Sequence, residues 1–203
     1  MTTGPEFIAT LTDVHRSYAM SAGNVVRALR GVTLQIPRGA FYALMGPSGS
    51  GKSTLLNVLG SLDRPDSGTI MLNGTDITAV AASALPDIRR RMIGFVFQGF
   101  NLIPTLSAEE NITLPLSLAG AEPDQAWFDE GVKTVGLADR LNHRPSELSG
   151  GQQQRVAVAR ALASKPAIIF ADEPTGNLDS RSSSEILGFM RRAVDDYGQT
   201  IVM

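Results

Sequence analysis

The sequence of 203 residues contains no cysteine, which excludes disulfide scaffolds, thiolate zinc sites and cysteine nucleophiles. It has two histidines, His15 and His143, so a histidine-rich metal site is not expected. No run approaches the ~18 apolar residues that a membrane-spanning helix needs. The first residues, MTTGPEFIAT, lack the basic start and apolar run of a secretory signal. If the protein serves a membrane, we expect it to do so from outside the bilayer.

The sequence also lacks a strong excess of charge of either sign. Lysine and arginine total 18 and aspartate and glutamate total 20, a net charge of −2. A nucleic-acid-binding module would be strongly basic, so no nucleic acid partner is expected. Hydrophobic residues make up 43% and charged residues 19%, which allows a packed core. The length fits one α/β domain, or one core with a smaller inserted lobe.

Two groups of β-strands are predicted. Segments 6–14 and 32–37 show the β-branched alternation of strands, and segment 69–77 predicts a hairpin with Asn73-Gly74 in a type I′ turn. These segments predict an antiparallel β layer near the N-terminus. Buried parallel strands are predicted from four short apolar runs, at 40–46, 93–97, 167–172 and 200–203.

The middle of the chain, roughly 99–150, carries helix signals and no strong strand pattern. Ser107 and Glu110 predict a capping box, and Pro115 is expected to kink or shorten the helix that follows. A second helix is predicted from Asp124 to Val135. We interpret this segment as a helical lobe inserted into an α/β core.

A phosphate-binding loop is predicted at residues 46–54, which read GPSGSGKST and match G-x-x-x-x-G-K-[ST]. Its glycines let backbone N–H groups form an anion nest, and the helix starting near Lys52 adds a positive N-terminus. Lys52 supplies a cation for the β- and γ-phosphates, and the Ser53 hydroxyl can ligate Mg²⁺. The predicted nucleotide-binding residues here are Gly46, Pro47, Ser48, Gly49, Ser50, Gly51, Lys52, Ser53 and Thr54.

Two further segments have the residue types of a phosphate-processing site. The apolar run 167–171 ends in Asp172, which can hold Mg²⁺ through its water shell, and in Glu173, which can accept a proton from an attacking water. The segment Leu148–Gln152 reads LSGGQ and precedes a helical pattern, with Ser149 as a natural N-cap. It predicts a second anion site at a helix N-terminus, with a simple glycine cap as the alternative.

The phosphate loop, the LSGGQ segment and the Asp-Glu strand, in that order, resemble the ATP-binding cassette (ABC) family over essentially the whole chain. The resemblance implies a P-loop NTPase α/β core with a mixed or parallel sheet, formed by 1–98 and 160–203, with an N-terminal antiparallel β layer. It also implies an inserted α-helical lobe at 99–159 that carries the LSGGQ motif. The stretches GFVFQGFNLIPTLSAEENI and DEPTGNLDS look most like the lipoprotein-releasing, macrolide-efflux and cell-division group.

The resemblance also implies residue roles. In the ABC family two nucleotide-binding domains pair head to tail, so a homodimer is implied in the ATP state. The LSGGQ residues Ser149, Gly150, Gly151 and Gln152 would then lie on the nucleotide held by the partner subunit's Lys52. Single positions carry over as well: Tyr18 would stack on adenine, Gln98 would touch Mg²⁺ and join the core to the lobe, and Asp179, with Asn177 and Leu178, would lie at the dimer interface.

The implied protein is the ATP-binding and ATP-hydrolysing subunit of a bacterial ABC transporter, with ATP and Mg²⁺ as cofactors. An integral membrane permease would be its partner, seated on residues 99–106, and the subunit would be cytoplasmic and peripheral on the inner face of the membrane. Two other interpretations stay open. An ABC-type ATPase of DNA repair or of ribosomes would tend to carry coiled-coil insertions, zinc modules or tandem cassettes. A P-loop kinase or GTPase would leave the LSGGQ segment unexplained.

One feature departs from the family pattern. The family has a switch histidine shortly after the strand predicted at 200–203, followed by further helices, whereas this sequence ends at Met203. Neither His15 nor His143 can fill the role by position. We therefore expect that a C-terminal part after residue 203 is missing, and that this 203-residue chain binds Mg-ATP but hydrolyses it poorly.

Overall fold

A computed structural model describes residues 6–20 and 24–203 of the chain. The described residues form eight strands, six α-helices and two short 3-10 helices at Ala82–Ala84 and Pro145–Glu147. The strands are β1 (Phe7–Ala19), β2 (Val25–Pro37), β3 (Phe41–Tyr42), β4 (Ser67–Leu72), β5 (Thr75–Asp76), β6 (Ile93–Phe97), β7 (Ile168–Asp172) and β8 (Ile201–Val202). The helices are α1 (Lys52–Leu59), α2 (Leu85–Met92), α3 (Ala108–Leu118), α4 (Gln125–Thr134), α5 (Gly150–Ala163) and α6 (Ser180–Tyr197).

The predicted antiparallel β layer is present as a sheet with the order β2-β1-β4-β5. Asn73 and Gly74 join β4 to β5 with φ values of 46° and 80°, which confirms the type I′ turn. Strands β1 and β2 extend well beyond the predicted segments 6–14 and 32–37. They do so because they pair with each other as far as Ala19 opposite Val25. This pairing keeps in the sheet residues that show no strand pattern in the sequence.

A second, parallel sheet has the order β3-β8-β7-β6. The predicted runs at 93–97, 167–172 and 200–203 supply β6, β7 and β8. The run at 40–46 yields only the two-residue strand β3, shorter than predicted, because the chain leaves the sheet to form the loop that precedes α1. Hydrogen bonds from Met203 N to Tyr42 O at 2.8 Å and from Leu44 N to Met203 O at 2.7 Å continue the alignment a little further.

The helical signals of the middle segment are largely confirmed. Ser107 and Glu110 form the expected capping box at the start of α3. Asp124 caps α4 by accepting a hydrogen bond from Trp127 N. Helix α3 continues through Pro115 to Leu118, so the proline does not end it.

Two clusters of buried apolar side chains meet at the parallel sheet. Ile168 and Phe170 of β7 pack toward the antiparallel sheet and α1, whereas Ile169 packs toward α5, α6 and the helical segment. The second cluster is shared between α3, α4 and α5, and α5 crosses position 159, where we placed the end of the lobe. The division into core and lobe therefore stays a prediction. In the ranges 6–20 and 24–203, no helix is long and apolar enough to cross a membrane.

Candidate active site

The glycine-rich loop lies between β3 and α1, directly against β2. Gly51 is the residue before α1 and has a φ of 93°, a left-handed conformation that favours glycine. A Cβ atom at this position would lie 2.6 Å from the carbonyl oxygen of Ala28. The second glycine of the motif is therefore required both by the backbone conformation and by the close approach of β2.

Lys52 folds its side chain back over this loop. Its Nζ donates hydrogen bonds to the carbonyl oxygens of Gly46 at 2.9 Å and Pro47 at 3.0 Å. A cavity of about 530 Å³ adjoins it, lined by loop residues and by the β2 segment Arg27–Arg30. The cation predicted for the phosphates thus lies at the N-terminus of a helix, where backbone N–H groups also favour an anion.

Ser53 and Asp172 meet beside the loop. The hydroxyl of Ser53, in α1, donates to Asp172 Oδ1, at the end of β7, over 3.0 Å. A hydroxyl and a carboxylate are hard oxygen ligands of the kind Mg²⁺ takes. The chemistry of this pair therefore fits the metal that the sequence predicts.

Glu173 follows Asp172 in a left-handed backbone conformation, with a φ of 48°. Such a conformation is costly for a residue other than glycine and is typical of functional sites. Its carboxylate side chain is exposed, and a cavity of about 390 Å³ is lined by Lys52, Asp172, Glu173 and Gly176 together. The predicted proton acceptor and the predicted phosphate cation therefore border the same space.

Gln98 is held against the segment that follows Glu173. Its Nε2 donates to Asn177 Oδ1 at 3.2 Å, and Asn177 Nδ2 donates back to the Gln98 carbonyl at 3.1 Å. A Cβ atom on Gly176 would lie 2.6 Å from Gln98 Nε2. The end of β6 and the loop after β7 are thus joined, although their separation in sequence gives no sign of it.

The LSGGQ segment forms the N-terminus of α5. Ser149 Oγ accepts a hydrogen bond from Gln152 N at 3.3 Å, and Gln152 Oε1 accepts one from Ser149 N at 2.9 Å. The N-cap was predicted, whereas the reciprocal bond of Gln152 was not. Gly150 and Gly151 approach Phe100, Leu178 and Ser182. Among the described residues, the two cavities that Lys52 borders take no lining residue from Ser149–Gln152.

Asp179 caps α6. Its two carboxylate oxygens accept hydrogen bonds from the backbone N and the hydroxyl of Ser182, each at 2.9 Å. These bonds, the backbone one first, hold the pKa of Asp179 below its ordinary value. The structure thus places Asp179 beside the tip of α5, and its role at a dimer interface stays a prediction.

Tyr18 lies near the end of β1 in a polar network that sequence reasoning missed. Its hydroxyl donates to Asp63 Oδ2 at 2.7 Å, and the Arg16 guanidinium lies over its ring, 4.7 Å from the centroid. Arg16 also pairs with Asp63 and Asp66, each at 2.9 Å. These carboxylates are remote in sequence from β1, so only tertiary structure could reveal them.

Two further side chains, whose role was not predicted from the sequence, fix the segments around Gln98. Arg160 donates to the carbonyls of Asn101 at 2.6 Å and Phe100 at 2.9 Å, and burial lowers the pKa of its guanidinium. Gln154 is fully buried and donates to Pro174 O at 2.7 Å. Both residues stand on α5, and both bind backbone carbonyls.

Comparison with known proteins gives one family. The family model described as "ABC transporter" matches residues 29–176. An uncharacterized ABC transporter ATP-binding protein of Thermotoga maritima is 48% identical over 97% of this chain and 84% of its own length. A macrolide export ATP-binding/permease protein of Syntrophobacter fumaroxidans is 47% identical over 95% of this chain. This chain spans only 27% of the length of that protein.

Solved structures agree with these relatives. A dimeric structure of MJ0796, described as a bacterial ABC transporter cassette, has a TM-score of 0.85 and 44% identity, covering 96% of this chain and 86% of the other. The same cassette is also known as a dimer in a post-hydrolysis state bound to ADP and Pi, with the same TM-score of 0.85. The α/β fold with antiparallel and parallel sheets is that of an ABC ATPase cassette.

Proposed function

The chain belongs to the ABC transporter family as an ATP-binding ATPase, and from this we propose that it is the Mg-ATP-hydrolysing subunit that powers a bacterial export or extraction system through a membrane permease. The observation that carries the proposal is the shared cavity of Lys52, Asp172 and Glu173. It brings a phosphate-binding cation, a metal-binding carboxylate and a proton acceptor to one place. The name of the macrolide relative, which combines ATP-binding protein and permease, supports the membrane partner.

Binding is proposed to start at the glycine-rich loop. The amides of Gly46–Thr54 and the Lys52 ammonium would hold the β- and γ-phosphates. Lys52 Nζ already lies at the loop, on the carbonyls of Gly46 and Pro47, so it would exchange these weak partners for charged phosphate oxygens. Tyr18 would receive the adenine on the ring face opposite the Arg16 guanidinium, which lies over the other face.

The metal is proposed to lie at Ser53 and Asp172, with Gln98 as the third residue of the site. Mg²⁺ would neutralise charge on the phosphates during transfer. Ser53 and Asp172 are already in contact, so these two oxygen groups need little rearrangement. The amide oxygen of Gln98 is a suitable further ligand, and its Nε2 is bound to Asn177.

Glu173 is proposed as the residue that polarises the attacking water. A general base must stand within hydrogen-bond reach of the proton that it takes. The left-handed backbone at Glu173 turns the chain directly after Asp172, which puts both carboxylates on the cavity that Lys52 borders. Asp172 would thus serve the metal and Glu173 the water.

A head-to-tail homodimer is proposed for the ATP state. The tip of α5, with Ser149, Gly150 and Gly151, is bordered by Phe100, Leu178 and Ser182 of its own chain rather than by the Lys52 cavities. A second copy related by a two-fold axis would place each tip on the nucleotide of the other copy, with Gln152 and Asp179 beside it. The dimeric structures of the MJ0796 cassette support the formation of a dimer.

Closure of this dimer would change the surface at residues 99–106, where the permease is proposed to dock from the cytoplasmic face of the membrane. The Arg160 bonds to Phe100 and Asn101 tie this surface to α5. Coupling requires that ATP favour the closed dimer over the open one.

The proposal is tested with Glu173→Gln. This variant is expected to bind ATP, to lose phosphate release, and to accumulate as a dimer in ATP and Mg²⁺, as measured by light scattering. Glu122→Gln removes a comparable exposed carboxylate outside the site and should behave as wild type. A Glu173→Gln protein that stays monomeric at saturating ATP would refute the head-to-tail dimer.

A further inference from the structure

Gln154 is a fully buried amide in α5 that reaches the two segments carrying the proposed catalytic residues. Its Nε2 donates to the carbonyl of Pro174 at 2.7 Å and to that of Phe97 at 3.3 Å. Pro174 directly follows Glu173, and Phe97 directly precedes Gln98. The Gln154 side chain therefore binds each segment at the residue adjacent to its proposed functional residue, Glu173 in one and Gln98 in the other.

Packing alone does not account for an amide at this position. Within the described ranges, the Oε1 atom of Gln154 has no hydrogen-bond partner. Burial of an unpaired amide oxygen opposes folding, and an apolar side chain of similar volume would avoid this penalty. The favourable counterpart is the pair of hydrogen bonds that Nε2 donates to the backbone. These two hydrogen bonds to backbone carbonyls therefore explain why an amide occupies this buried position.

The turn that begins at Glu173 requires support from the surrounding structure. Glu173 has a φ of 48°, and a strained backbone persists only when its surroundings determine it. Gly176 N donates to Glu173 O at 3.0 Å, which closes the turn from within. The bond from Gln154 to Pro174 fixes the same turn from α5. The mutual bonds of Gln98 and Asn177 then fix the turn against the end of β6.

Helix α5 also carries the tip proposed to cap the nucleotide of the partner. Gln154 lies five positions after Ser149, about 7.5 Å along the helix at 1.5 Å per residue. A helix of this length is stiff, so a displacement of its tip also displaces Gln154. The side chain thus connects the site that a chain lends to its partner with the site that the chain itself contains.

We propose that Gln154 is a positioning residue for Glu173 and Gln98, and that it transmits the position of the α5 tip to the catalytic segments of its own chain. The inference rests on the proposed function. It adds Gln154 to the residues of the site and a connection between the tip of α5 and the catalytic segments. Gln154 touches neither nucleotide nor metal in this account, because it acts through the carbonyls of Pro174 and Phe97. Its loss should therefore affect turnover more than ATP binding.

The test is Gln154→Met, which keeps the side-chain length and removes both donated hydrogen bonds. We expect kcat to fall about 10-fold while KM for ATP stays within about twofold, the pattern of an interaction that acts on the chemical step. Gln199→Met is the matched control, since Gln199 is buried and donates to a proline carbonyl, Pro166 O, at 3.0 Å. This control should lose stability without a comparable loss of kcat.

The thermal unfolding of both variants separates positioning from stability. Equal losses of kcat in Gln154→Met and Gln199→Met, or an unchanged kcat in Gln154→Met, would overturn the inference. Hydrolysis by the wild-type chain tests the proposed function, whereas the kcat of each variant relative to wild type tests the role of Gln154. Failure of the proposed function can therefore be told apart from failure of this inference.

A second variant covers the case in which Gln154→Met does not fold. Gln154→Glu is nearly isosteric, and burial raises the pKa of a carboxyl group. Ionised, the new side chain faces two carbonyls without a proton to donate; protonated, it can donate to Pro174 O. We expect its kcat relative to wild type to rise as the pH falls. A ratio that does not change with pH would contradict the proposal.

Discussion

The Ser53 hydroxyl donates a hydrogen bond to Asp172 Oδ1 at 3.0 Å, although 119 positions separate the two residues in the chain. The contact joins the first turn of α1 to the carboxyl end of β7. Ligands bind at the carboxyl ends of strands in open α/β sheets, and a helix N-terminus favours anions. The pair therefore stands where a metal could bridge the protein and a phosphate.

Ser53→Ala removes one of the three oxygen groups proposed for the metal. We expect the Mg²⁺ concentration for half-maximal ATPase activity to rise about 10-fold, since a neutral ligand is lost while Asp172 remains. The measurement is a Mg²⁺ titration of phosphate release at saturating ATP. Ser117→Ala, on the exposed side of α3, should leave the titration unchanged. An identical midpoint in Ser53→Ala and wild type would remove Ser53 from the metal site.

Lys52→Ala removes the cation from the phosphate loop. We expect the Kd for ATP to rise about 10-fold or more, because a charge-assisted contact to phosphate is lost. Equilibrium binding of a fluorescent ATP analogue measures the change. Lys133→Ala deletes an exposed lysine of α4 and controls for net charge. Unaltered ATP affinity in Lys52→Ala would contradict the proposed phosphate site.

Asp63→Ala deletes the acceptor that orients Tyr18. We expect ATP affinity to fall about fivefold, which corresponds to one hydrogen bond of about 1 kcal/mol. Tyr18→Phe removes the same bond from the other side and should give a similar loss, whereas Tyr18→Ala should lose more. Asp139→Ala, an exposed carboxylate elsewhere, is the control. If Tyr18→Phe binds ATP as wild type does while Asp63→Ala does not, Asp63 acts by another route.

Acid stability should depend on Asp66. The hydrogen bond from Arg16 first, and then that from Ser17 N, hold the pKa of Asp66 below its ordinary value of 3.8. A lowered folded-state pKa contributes stability at pH values above 3.8, and this contribution is lost as the pH falls through the lowered value. Asp66→Asn should therefore show a smaller drop in Tm below pH 4 than wild type. Parallel acid profiles for the two proteins would show that the ion pair does not contribute.

Asn111 is a further buried amide, and it shapes the proposed permease-docking segment. Its Oδ1 accepts from Ile103 N at 2.7 Å, and its Nδ2 donates to Ser107 O at 2.9 Å. Asn111→Ala takes the acceptor from Ile103 N and removes the bonds that the amide donates, although Ser107 O still accepts from the backbone N of residue 111. We expect the free energy of unfolding to fall by about 1–3 kcal/mol. Urea denaturation measures the change, with Thr113→Ala on the exposed side of α3 as the control. A loss no larger than that of the control would show that water replaces the amide.

Most of the structural elements that the sequence predicted correctly were indicated by residues close together in the chain. The loop at 46–51, the capping box of Ser107 and the turn at Asn73 each follow from residues adjacent in the chain, because turns and caps are satisfied by neighbouring backbone groups. The lengths of β1, β2 and β3 did not follow from the sequence. Pairing partners distant in the chain determine how far a strand continues, as the hydrogen bond from Met203 N to Tyr42 O illustrates.

By itself, the sequence determined the chemical components of the site: a glycine loop with Lys52, an acidic strand end at Asp172 and Glu173, and a capped helix at Ser149. Each is a run of consecutive residues whose function depends on local backbone geometry. Only the tertiary structure decided which of them meet. The contacts of Ser53 with Asp172, of Tyr18 with Asp63 and of Gln154 with Pro174 depend on the order of strands and the packing of α5. No local pattern encodes the distance between residues that are remote in the chain.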